Sequence, residues 1–249
     1  MNKESWIPAI TLPIYAVFFI AELIVSGKQR QHRYHFKETS ISIWSTILGG
    51  FFDAIALFIC FLALDFFNDH AIFQTSLQIY YPLIGWTIVF ITQDLFFYWL
   101  HRSMHNIRLL WAAHSNHHSS AHFNFSIALK SFVFQPFYRF VFYISIAFLG
   151  FEGTTIKLVY AINQVYQFFL HTEYGGMMQN WKKIFGPFRL KLKIERPIYG
   201  LTQNIKNFHP LKSLIKEFER IILDIIISKK ISEKTSYPYN KPYWKPASI

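Results

Sequence analysis

Five stretches of mostly apolar residues set the frame of this chain. They run from Trp6 to Ser26, Ile41 to Leu64, Ile79 to Leu100, Phe125 to Gly150 and Ile156 to Leu170. The first four reach the roughly 20 residues that a helix needs to cross the hydrocarbon core of a bilayer. The fifth is shorter, and is expected to tilt into its neighbours or to lie at the interface. Asp53 sits inside the second stretch, and Lys130 and Arg139 inside the fourth. Past His171 the pattern changes, and Pro187, Pro197 and Pro210 interrupt the chain. Leu214 to Ile227 reads as an amphipathic helix with Leu214, Phe218, Ile221, Ile222 and Ile225 on one side. Ser236 to Ile249, rich in Pro, Tyr and Lys, is expected to be unstructured. No internal repeat is evident.

The pattern predicts an all-α fold, a membrane helical bundle of about four to five spans with a histidine-bearing helical cap on the cytoplasmic side. Residues 1–172 would form the membrane helical domain, 173–235 the remainder of the cap with its amphipathic helix, and 236–249 a disordered tail. The first apolar run is long enough to remain as a span rather than serve as a cleaved leader.

Composition agrees with a lipid environment. Of 249 residues, 52% are hydrophobic and 16% charged, where a soluble domain carries about a quarter charged residues. The formal net charge of +11 raises nucleic acid as a partner. The Lys and Arg residues flank the apolar runs, however, which fits anchoring at an anionic membrane face and argues against nucleic acid. They also set an orientation. The stretch with Lys28, Arg30, Arg33 and Lys37 is expected in the cytoplasm, and the loop with Asp65 and Asp69 outside. The third span then returns His101 to His122 to the cytoplasm. The turn Phe151-Glu152-Gly153 falls outside, and His171 faces the cytoplasm, followed by the basic residues Lys182, Lys183, Arg189, Lys191 and Lys193. Cys60 is the only cysteine, which leaves neither an internal disulfide nor a cysteine-based zinc site.

The chemistry lies in the histidines. His101 and His105 are four residues apart, so both imidazoles share a helix face. His114 stands three and four residues before His117 and His118. Two short helices crossing at the membrane surface could aim all five rings at one centre, and imidazole suits iron, zinc, copper or nickel. The bland alternative is a solvated interfacial patch of histidines. Zinc hydrolysis is weaker, since His101-Arg102-Ser103-Met104-His105 lacks the glutamate of a zinc-protease helix. Asp94 lies two turns before His101 on the same face. It is a candidate to accept the free ring N–H of a ligand histidine and fix its tautomer, with an acid snorkelling at a span end as the alternative.

Four segments carry a family resemblance. Gln93-Asp94-Leu95-Phe96-Phe97-Tyr98-Trp99-Leu100-His101-Arg102-Ser103-Met104-His105 resembles the first histidine box of the fatty acid hydroxylase / sterol desaturase superfamily. Leu110-Trp111-Ala112-Ala113-His114-Ser115-Asn116-His117-His118-Ser119-Ser120 resembles the second. Phe169-Leu170-His171-Thr172-Glu173 is similar to the His-Thr segment at a later span end. Pro197-Ile198-Tyr199-Gly200-Leu201-Thr202 resembles the alkylglycerol monooxygenase-like or bacterial sterol desaturase-like branch. The resemblance covers about Ile79 to Pro210. It implies a di-iron centre held by His101, His105, His114, His117, His118 and His171. It also implies O2-dependent hydroxylation or desaturation at a lipid C–H bond, with a separate electron-donor protein, since no flavin or cytochrome b5-like motif is present.

The sequence departs from that family at one place. Members carry a third histidine-rich box after the His-Thr segment. Here Glu173 is followed at once by Tyr174-Gly175-Gly176-Met177-Met178, and past that point only His209 remains, read as a non-ligand. Six histidines could hold one ion well and a second poorly. An inactive relative is therefore the competing expectation, with a metal-handling transporter third. His122, next to the second box, is read as a surface histidine.

Overall fold

The computed structural model describes residues 6–29, 34–73, 80–120, 122–130, 135–171 and 210–246. These residues are helical, with no strand among them. We number the helices α1 (Trp6–Lys28), α2 (Phe36–Asp69), α3 (Pro82–Asn106), α4 (Arg108–His114), α5 (Phe125–Leu129), α6 (Gln135–Phe148), α7 (Gly153–Phe169), α8 (Pro210–Ile227) and α9 (Ile231–Ser236), with a 3₁₀ turn at His117–Ser119. Among the described residues, Ile10–Lys28 and Pro82–Asn106 are long and apolar enough to cross a membrane. Only 11% and 22% of their apolar windows are buried, so neither packs as the core helix of a soluble protein would.

The helices follow the apolar runs with two instructive differences. First, α3 continues past Leu100 to Asn106 and carries His101 and His105 on the candidate span itself. It stops where Ile107 turns extended, at φ −106° and ψ 119°. Second, the expected fourth span is broken. A short α5 begins at Asn124, whose side chain accepts from the Ser126 N–H, and Lys130 ends it in an extended conformation. The described part of α6 resumes at Gln135. Gly150, with φ 98°, makes the reversal into α7.

One core joins α2, α3, α6 and α7 through Leu64, Val89, Tyr143, Ile146, Ala147, Phe151, Ile156 and Val159. A second, smaller cluster is centred on Ala113 of α4, where Leu48 and Phe52 of α2, Tyr138 of α6 and Phe218 of α8 meet. Buried charges are matched locally. Glu22 of α1 accepts from the Tyr34 hydroxyl and, at 2.7 Å, from the backbone N–H of Phe125, which ties α1 to α5. Arg139 donates to the Tyr160 hydroxyl and lies over its ring.

The segment after α8 is folded where the composition suggested an unstructured tail. Tyr237 is buried, and its ring meets Trp244. The backbone N–H groups of Arg108 and Leu109 donate to the carbonyls of Asn240 (2.9 Å) and Pro238 (2.8 Å). The first N–H groups of a helix have no partner within it, and the tail supplies two for α4. A partner so distant along the chain leaves no mark on local composition. The amphipathic helix forms as α8, but its apolar residues divide. Phe218 packs on Ala113 of α4 and Ile221 is buried, while Ile222 faces outward.

Candidate metal centre

The five histidines singled out by spacing, and His171 from the family resemblance, come together at the C-terminal end of α3. His101 and His105 occupy its last turns. His114 closes α4, and the chain then tightens into the 3₁₀ turn that carries His117 and His118. The second group is therefore split between two elements, where the spacing suggested one helix. Ser119 fixes the turn by donating from its N–H (3.3 Å) and its hydroxyl (2.7 Å) to the Asn116 carbonyl. His171 arrives just past the end of α7.

Their ring nitrogens face one another in three pairs. The Nε2 atoms of His101 and His105 are 3.2 Å apart, those of His114 and His118 3.1 Å, and those of His117 and His171 2.9 Å. Ring contacts of 4.9–5.3 Å between His101 and His114, His105 and His118, and His114 and His117 link the pairs into one cluster. The ligand nitrogens of His101, His105 and His114 all lie within 4.8 Å of one another.

The chemistry of this donor set suits a cation. Nδ1 of His117 is 3.1 Å from the Lys130 carbonyl, and Nδ1 of His171 is 2.6 Å from the Gln167 carbonyl. A carbonyl oxygen only accepts, so both Nδ1 atoms carry the proton. Both Nε2 atoms then present lone pairs to each other at 2.9 Å, an arrangement that a cation held between them would stabilise. Ligand nitrogens at right angles about a metal, each about 2.1 Å from it, are about 3 Å apart. The three observed separations lie close to that value.

Electrostatics keep the cluster ready for a cation. His114 is buried. Desolvation, followed by the neighbouring imidazoles with His117 first, holds its pKa well below the ordinary 6.5. For His117, desolvation and then His171 act in the same direction. Both rings are accordingly neutral at pH 7, the form that binds metal. Asn116, wholly buried between His114 and His117 in sequence, keeps its side-chain amide without a protein partner, so it is available to a bound molecule.

Outer support comes from a residue that spacing did not reveal. Glu38, in the first turn of α2, accepts from the Ser120 hydroxyl at 2.5 Å. Lys130, buried and in the field of Glu38, donates through Nζ to Ser119 Oγ at 2.5 Å, while its carbonyl holds His117. A polar chain thus runs from α2 to the 3₁₀ turn. Its sequence signal is slight, a lone acid at the end of a basic stretch. Asp94 is exposed on α3, with Tyr166 as its electrostatic neighbour. His122 faces Glu38 at 3.5 Å and stacks on His35, away from the six. His209 and the residues after His171, where the third box was sought, lie outside the described residues.

Replacing Glu38 with Ala should lower metal affinity by less than the roughly 10–100-fold that follows loss of a ligand's own partner, because Glu38 reaches the turn only through Ser120 and the field on Lys130. Chelator competition measures it. Glu38→Gln, which still accepts from Ser120, should recover most of the loss. Equal losses in both variants would sink this role.

Comparison with known proteins places these features in context. Residues 86–198 match the family model described as fatty acid hydroxylase. The chain is 29% identical over 193 residues to alkylglycerol monooxygenase from Homo sapiens, covering 65% of this chain and 43% of that protein. It is 27% identical over 193 residues to the Xenopus tropicalis protein of the same name, with the same coverage. The Caenorhabditis elegans protein of that name is 26% identical over 235 residues, covering 79% of this chain and 44% of its own length. The chain thus spans less than half the length of these curated relatives. No solved structure matches it.

Proposed function

We propose that this chain, whose residues 86–198 belong to the fatty acid hydroxylase superfamily, is a membrane-bound non-haem iron oxidoreductase. It inserts oxygen from O2 at a C–H bond of a lipid. The observation that carries this reading is the facing of His117 and His171, two Nδ1-protonated imidazoles whose Nε2 atoms meet at 2.9 Å. The relatives named alkylglycerol monooxygenase favour an ether lipid as substrate, ahead of a sterol or fatty acyl chain.

His101, His105, His114, His117, His118 and His171 would hold the iron. Bound iron supplies the capacity to activate O2 with two electrons from a separate donor protein, so that one oxygen atom enters the C–H bond and the other leaves as water. The protein's part is positional. The Lys130 and Gln167 carbonyls hold two ligand rings in the tautomer that leaves Nε2 free. Burial of His114 excludes water from the centre of the cluster. The basic residues after α1 favour the cytoplasmic side for the histidine end of α3, and the exposed apolar surface of α3 would give a lipid chain a route from the bilayer.

A second reading rests on the missing third box, since only His209 follows His171. It makes the chain a family fold with impaired catalysis. The deciding experiment uses purified protein in nanodiscs with ether-lipid, sterol and fatty-acyl substrates, O2 and a reductant. Product from wild type and none from a folded His114→Ala protein supports the oxygenase. No turnover from iron-loaded, folded wild type supports the impaired reading. Two irons per chain by metal analysis would count against it.

A further inference from the structure

α8 carries two opposed faces. Phe218, Ile221, Asp224 and Ser228 recur at helical spacing and turn inward. Phe218 packs on Ala113, Asp224 pairs with Arg108, and Ile221 and Ser228 are buried. The opposite arc, at the C-terminal half of the helix and just beyond it, presents Ile222, Leu223, Ile226, Ile227 and Ile231. Each of these is more than half exposed. Five aliphatic side chains within ten residues on one outward arc form a contiguous patch, which a surface facing water alone rarely shows.

The surroundings of the patch identify what covers it. Lys212, Lys229 and Lys230 are exposed around it, and residues 210–246 hold eight Lys and Arg against four Asp and Glu. Its level relative to the bilayer is set by α3. Near the end of that helix Arg102 donates to the Tyr98 hydroxyl at 2.8 Å and lies 5.9 Å from the exposed Trp99 ring. An aromatic pair with a cation at a span end marks the headgroup boundary. Arg108, which holds Asp224 of α8, follows within two turns. The patch therefore sits beside that boundary. An apolar arc with lysines around it, held parallel to such a surface, is the design of an in-plane interfacial helix.

We infer that α8 lies in the membrane interface with Ile222, Leu223, Ile226 and Ile227 inserted among the lipids, and that its lysines recognise anionic headgroups. This rests on α3 crossing the membrane, as in the function proposed above. It adds a lipid-binding surface that the metal centre does not need.

Cys60 is the only cysteine, so Cys60→Ser gives a background for single environment-sensitive labels. Cysteines at position 226 (Ile226→Cys) or 223 (Leu223→Cys) would carry an NBD label in full-chain protein in proteoliposomes, with Leu95→Cys on α3 as the membrane reference. Quenching of the α8 labels by shallow spin-labelled lipid is expected. The quenching should strengthen at least two-fold when phosphatidylglycerol is raised from none to a third of the lipid, and weaken in high salt. Quenching by aqueous iodide alone, or shielding from both quenchers by a protein cover, would overturn the insertion. Quenching that ignores phosphatidylglycerol would overturn the headgroup preference. If the Leu95→Cys label is also unquenched by lipid, the membrane reading itself fails. If only the α8 labels are unquenched, the inference alone fails. Two label sites guard against one variant that does not fold.

Discussion

His114→Ala is expected to strip the metal from the site and abolish turnover. His114 is the hub of the cluster. Its ring meets those of His101, His105, His117 and His118, and its Nε2 pairs with that of His118 at 3.1 Å. Loss of an outer partner costs about 10–100-fold in affinity, and loss of a ligand should exceed that range. Metal content after desalting and the rate of product formation measure both effects. The metal-free protein should respond in the opposite way to acid. In wild type, burial holds His114 and His117 well below the ordinary imidazole value of 6.5. The unfolded chain therefore takes up protons that the folded chain refuses, and stability, complete above about pH 6.5, falls as the pH drops below it. His114→Ala removes one such group and relieves His117 of a neighbour. The acid limb of a thermal melt against pH should then flatten. A variant that keeps its metal, or an unchanged acid limb, would refute this account of the cluster.

The second large effect is expected at the seat of α4, with an unequal outcome for the two partners of one ion pair. Arg108 is buried, while the Asp224 side chain is 40% exposed. Among the described residues, removing Asp224 leaves the buried guanidinium with the Tyr237 ring, 5.3 Å away, to compensate it. Removing Arg108 leaves a carboxylate that water can reach. Breaking a fully buried pair costs roughly 3–5 kcal/mol, and the exposure of Asp224 reduces this to about 1–3 kcal/mol. Asp224→Ala should thus destabilise more than Arg108→Met, whose side chain still fills the site. Both should weaken metal retention, because α4 carries His114. Thermal melts in detergent and metal content test the order, and the reverse order would show that the pair is not what seats the helix.

The sequence was legible where a local pattern carries the physics. Apolar runs located α1, α2, α3 and α7 to within about six residues at each end, and histidine spacing gathered five of the six histidines that lie together, His171 coming from the family resemblance. It was less legible where the determinant is distant or concerns which side of a helix is covered. Glu38 meets Ser120 across 82 positions, a pairing that neither residue announces. Periodicity puts Asp94 on a helical stripe with His101, but which of two neighbouring residues is covered lies beyond it. Gln93 beside it is wholly buried while Asp94 is exposed. The fourth apolar run read as one span because hydropathy ignores backbone conformation, and Lys130, in an extended conformation, ends α5 inside that run.

The tail carbonyls that meet α4 impose an order on assembly. Arg108 and Leu109 leave the ribosome long before Pro238 and Asn240, yet their N–H groups are satisfied only by those later residues. While the chain is being made, the helix that ends in His114 lacks its starting anchor, so a nascent polypeptide holds the histidines without a fixed cage. A metal bound by this cluster would therefore find the starting anchor of α4 in place only after the tail has been made.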